Sequence, residues 1–112
     1  MRSLKLVQLL RKTVIEKKLA TYQNLLSTTK EAHDPVWKGI LPIYNNLNED
    51  QKEAFIKFLR IVEVNTMSHV LGILDGTSSY EEINENLMLI SDQNDEKING
   101  DLQDIFLELE GY

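Results

Sequence analysis

A chain of 112 residues, 42% hydrophobic and without cysteine, is one domain (1–112) that can build a core without covalent staples. The missing thiols exclude disulfides, thiolate zinc sites and cysteine nucleophiles, and they fit a reducing, cytoplasmic location. The net charge of −6 conceals a division: residues 1–60 carry 11 basic and 6 acidic side chains (+5), whereas residues 61–112 carry Lys97 against 12 acids (−11).

The opening MRSLKLVQLLRKT breaks its apolar run at Lys5 and Gln8, so no secretory signal is expected. No segment approaches the roughly 18 apolar residues of a membrane span. Residues 3–30 lack Gly and Pro and carry helical spacing. Leu6, Leu10 and Val14 form one i, i+4 seam, and Ile15, Leu19, Tyr22 and Leu26 form a second. The seam steps sideways near Thr13, where the helix should bend or bury two sides. The lysines of this helix are read as a solvated face, since no stacking aromatics alternate with them.

A second helix is expected from Asp34 as N-cap and Pro35 at the first helical position, with Pro42 ending or kinking it one turn later. Trp37, the single tryptophan, is assigned to the core, with a partner anchor as its alternative role. The third helix carries the strongest signals. Asn48 and Gln51 spell a capping box, Glu49, Asp50 and Glu53 favour the positive helix end, and Asp75-Gly76 marks the stop. From Ala54 to Leu74 apolar residues cover almost every face, the pattern of a helix central in its bundle. Asn65, Ser68 and His69 interrupt that pattern. A satisfied structural histidine is the expectation for His69, with a general base as the alternative.

Beyond Gly76 the periodicity changes. Ser79 is placed to cap a short turn through Glu82. Leu87–Ile90 reads as a brief strand, with a helical turn as its alternative, residues 92–96 as a turn, and Lys97-Ile98 as the strand's return. Asp101 is expected to cap a last helix that aligns Leu102, Ile105, Phe106 and Leu109. The fold class is therefore mainly α, a helical bundle with a small C-terminal β-hairpin.

Sequence motifs for chemistry are missing. An EF-hand register from Asp92 fails, because Lys97 stands where the loop needs Gly and Gln103 where it needs Glu. His33 and His69 form no HExxH pattern, and no phosphate loop, dinucleotide fingerprint or nucleophile elbow occurs. No catalytic residue, cofactor site or metal site is assigned. The remaining signal is an acidic set, Glu81, Glu82, Glu85, Asp92, Asp95, Glu96, Asp101 and Asp104, spread over loops and helix starts. Such carboxylates steer a basic protein partner toward them, unless they face the basic half of their own chain. Asp101 and Asp104 also have an internal role as helix-start acids.

The stretches VNTMSHVLGILDGTSSYEE and EKINGDLQDIFLELE resemble small acidic helical bacterial proteins. In those, a helix ending in an LGILDG-type turn precedes a hairpin and an NGDLQDLF-like C-terminal helix. The resemblance covers the last half of the chain and transfers no active residue. Proteins of this size and charge are often toxin-immunity proteins, which implies a non-enzymatic inhibitor covering a basic toxin domain such as a nuclease. The alternative is a helical adaptor or self-associating structural protein using Trp37 and apolar helix surface. Nucleic acid and membrane are not expected partners.

Overall fold

The computed structural model describes residues 2–77, 83 and 85–112, and in these the chain forms four helical rods. The first rod runs over 3–28 as α1 (Ser3–Leu10), a π-helical segment (Arg11–Glu16) and α2 (Lys17–Thr28). The π-helical segment falls where the hydrophobic seam steps sideways. Its wider turn re-aims the apolar face, so that Val7 is buried before it and Ile15, Leu19 and Leu26 at and after it. At this register change the Thr13 hydroxyl donates to the Leu9 carbonyl at 2.6 Å. Val14 and Tyr22, placed in the seams by spacing, lie largely outside them.

Helix α3 (Pro35–Asn45) starts as its sequence dictates: the Asp34 carboxylate accepts from the Val36 and Trp37 amides, and Pro35 occupies the first turn. Of the two expectations for Pro42, an end or a kink, the end does not occur, since the helix continues to Asn45. Only the amide bond that Pro42 would have made toward Lys38 is lost. Both residues are exposed, and water can serve the freed carbonyl. Helix α4 (Glu49–Asp75) opens with the full capping box, Asn48 and Gln51 exchanging bonds of 2.9 and 2.8 Å. It ends at Gly76 with φ of +78°, a left-handed cap that a side chain would strain.

The first rod runs antiparallel to α4. Val7 and Ile15 share one core cluster with Leu71 and Val64, whereas Leu26 shares the other with Phe55, Ile56 and Leu59. Helix α5 (Leu102–Leu109) packs against both α1 and α4, and its Leu102 and Phe106 are fully enclosed in the first cluster. Trp37 packs against the second cluster, its ring 6.5 Å from that of Tyr22. The expectation that α4 is central on every face is overturned. Phe58, Ile61, Val62 and Val70 stay exposed, because the first rod, α3 and α5 cover other sides of the helix.

The β-hairpin is overturned as well. Among the described residues there is one isolated antiparallel bridge, Ile90 with Lys97, beside one backbone bond from the Ile98 amide to the Leu89 carbonyl at 2.8 Å. The Asn99 side chain takes the place of a further rung, accepting from the Leu89 amide and donating to the Leu87 carbonyl. Mainly α is therefore the observed class. No helix among the described residues is long and apolar enough to cross a membrane. The molecule measures 50 × 30 × 29 Å with a radius of gyration of 17.6 Å. A chain of this length packed evenly would have about 13 Å.

Candidate functional site

The acidic segment after α4 is held to the helical body by polar side chains. Asp75, the last residue of α4, directs one carboxylate oxygen to the Gly100 amide and the other to the Gln103 amide, each at 2.7 Å. It thereby caps α5 from a different helix. Asp101, expected in that role, stands at the N-cap position but makes no capping bond with its side chain. Its backbone φ of −132° and ψ of +18° depart from the extended geometry that aims a capping side chain. Asn99, buried, also donates to the Leu74 carbonyl, which ties the bridge region to the end of α4.

Two more contacts complete this junction. The Ser3 hydroxyl donates to the Ile98 carbonyl at 2.6 Å, joining the chain's first turn to the segment. Gln103 donates to both the carbonyl and the hydroxyl of buried Ser68, and accepts from the Thr77 hydroxyl at 2.6 Å. Ser68 is thus the one member of the polar interruption in α4 that serves the interior. Asn65 and His69 are exposed and make no side-chain hydrogen bond among the described residues. The expected enclosed histidine is not there. His69 lies on the solvent side of α4, one turn beyond Asn65 and next to Val70.

Of the acidic set, Glu85, Asp92, Asp95, Glu96, Asp101 and Asp104 are all exposed. None of the six forms an ion pair among the described residues. Glu81 and Glu82, and the turn assigned to Ser79, lie outside the described residues. Lys5 lines one shallow cleft with Ser91, Asp92 and Gln93 without closing to ion-pair distance. Among the described residues, ion pairing between the two halves is therefore confined to one cluster around Glu110. There Glu110, its side chain only 4% exposed, accepts from Arg60 at 3.0 and 3.2 Å and from Arg11 at 3.4 Å. Arg60 also donates to Glu16 at 2.7 Å. These bonds raise the Arg60 pKa further above its already high value. The Glu63 pKa, one turn on, is raised as well, which here disfavours the charged form: partial burial and then the Glu16 carboxylate raise it, against the opposing pull of Arg60.

Comparison with protein-family models, with curated proteins and with solved structures finds no match. Function must then be argued from the surfaces themselves, which fall into two kinds. The first is the acidic segment just described, visible from composition. The second is the uncovered apolar strip of α4, continuous with a groove in which Val62, Glu63, Thr66, Met67 and Val70 face Val14, Lys18 and Tyr22 of the first rod. Sequence spacing placed the apolar ones among these residues in the core, while Thr66 belongs to the polar interruption of α4. The missing signal was the number of helices available to cover α4, which periodicity in one helix does not encode.

Proposed function

We propose that the chain is a non-enzymatic protein-binding module that holds a basic partner on its acidic C-terminal segment. The most specific form of this reading is a cytoplasmic inhibitor of the immunity type, neutralising a basic bacterial toxin domain such as a nuclease. The observation that supports it is the state of Glu85, Asp92, Asp95, Glu96, Asp101 and Asp104: exposed, and without an ion-pair partner among the described residues. Charges already paired inside the molecule steer little. Unpaired ones on one segment raise the encounter rate with an oppositely charged surface.

The anchoring by Asp75, Asn99 and Ser3 supports the same reading, because carboxylates on a fixed segment lose less entropy on binding than carboxylates on a loose one. The test is affinity capture from native lysate with the wild type and with the charge-reversed variant D92K/D95K/E96K, followed by association kinetics on the captured protein across a salt series. The expected result is a basic protein whose association rate falls about tenfold or more in the variant and falls with salt in the wild type. Equal association rates at low salt would remove the acidic segment from the interface.

A further inference from the structure

We infer that the uncovered strip of α4 is the contact between two copies of this chain, packed antiparallel about a two-fold axis near Asn65. The strip's chemistry selects the occupant. Phe58, Ile61, Val62 and Val70 are 60, 54, 46 and 48% exposed; the first three follow i, i+3 and i+4 spacing, and Val70 lies about two turns beyond Val62. The other exposed positions between them are Asn65, Thr66 and His69. Over about 18 Å of helix every exposed residue is uncharged. The charged residues within this stretch, Arg60 and Glu63, are partly buried beside Glu16 of the first rod, and Lys18 and Lys57 stand at its edges. A surface that is apolar at its centre and carries charge of both signs at its edges offers the basic partner proposed above little to recognise.

A second copy suits it on three counts. The first is area. A folded monomer of 13.0 kDa exposes about 6,300 Å². This chain exposes 8304 Å², an excess of about 2,000 Å². That excess is more than the about 800 Å² per partner that a standard stable interface buries. The second is self-complementarity. A two-fold axis sets each residue near the centre against itself, and the Asn65 amide both donates and accepts, so two copies satisfy each other.

The third count is charge. The acidic segment follows the C-terminal end of α4. Antiparallel packing about Asn65 sends the two α4 ends about 30 Å apart, several screening lengths at physiological salt. Parallel packing would bring two unpaired acidic segments together. The α4 strip is therefore usable by a second copy in one orientation only.

Sedimentation velocity on the full chain at about 10 to 200 µM is expected to show twice the 13.0 kDa mass. Ile61→Glu should weaken the dimer about thirtyfold or more with an unchanged far-ultraviolet helical signal, since Ile61 is exposed. The chain has no cysteine, so Asn65→Cys provides a single thiol, expected to form a disulfide-linked dimer on mild oxidation. Asp95→Cys, on the acidic segment, should dimerise as the wild type does but form no disulfide-linked dimer. The inference fails if the wild type sediments as a monomer, if D95C cross-links as readily as N65C, or if N65C does not cross-link. Loss of the dimer in D92K/D95K/E96K would also overturn it, by moving the contact to the acidic segment. Retention of the dimer there leaves this contact intact whatever becomes of the basic partner.

Discussion

Glu110 shows how much one side chain near the end of a short chain can hold together. Its carboxylate is almost fully enclosed, and the two arginines that donate to it come from the first rod and from α4. Removing it would leave two guanidinium groups facing each other beside a hole. Both arginines keep about a third of their side chains in solvent, so the cost falls below that of a fully buried pair: Glu110→Ala should lower stability by about 2 kcal/mol. Glu53→Ala, breaking the exposed pair with Lys57, should leave the urea midpoint unchanged. Glu63 gives a prediction of opposite sign. Its pKa is raised in the folded chain, chiefly by partial burial and then by Glu16, so folding favours its protonated form. That contribution is present below the ordinary carboxyl pKa and is lost as pH rises through the raised value. At pH 7 Glu63 is therefore a liability, and Glu63→Gln should raise the urea midpoint there. The gain should shrink as the buffer is taken down through the carboxylate range, and a gain that grows instead would contradict the assignment.

At the scale of elements, local signals were legible and assembly was not. The capping box at Asn48–Gln51, the Asp34-Pro35 start and the Gly76 stop are short-range devices, each satisfied within one turn of chain, and all three form as their spacing dictates. The seam shift near Thr13 marked a real irregularity, whose nature as a π-helical segment needed the packing of α5 and α4 to define it. Asp75 and Asp101 show where spacing misleads. Both precede or follow helices in the right register, but the cap of α5 is chosen by where α4 ends in space, 28 residues from Gln103. The same reason hid Asn99, whose three partners lie at Leu74, Leu87 and Leu89. Asp75→Ala should accordingly cost about 1–2 kcal/mol and Asp101→Ala almost nothing, the reverse of the order a capping rule assigns by position. Asn99→Ala should expose the Leu89 and Ile98 amides to hydrogen exchange before the helices open, because it removes a rung and an anchor together.

For the whole molecule, the governing quantity is the placement of charge rather than its total. The cations of the first half are partly consumed where Arg11 and Arg60 meet Glu110 and Glu16, while six acids beyond α4 stand without ion-pair partners among the described residues. Salt therefore acts on two populations with opposite effects. It screens the repulsion among exposed carboxylates, which stabilises the fold, and it weakens ion pairs, which destabilises it. The pairs at Glu110 are partly sheltered and feel screening less than the exposed acids do. The first effect should win: raising NaCl from about 0.02 to about 0.5 M should increase unfolding free energy by roughly 0.5–1 kcal/mol. Charge removal tests the attribution. In D92N/D95N/E96Q the low-salt stability should rise toward the high-salt value of the wild type, and the dependence on salt should flatten. Dimerisation through α4 separates from this behaviour, because the exposed residues at the centre of its strip are uncharged: sedimentation at the two salt concentrations should give the same or a slightly tighter dimer in salt. A fold that instead weakens steadily with salt would show that the Glu110 cluster, and not the acidic segment, dominates the electrostatics of the chain.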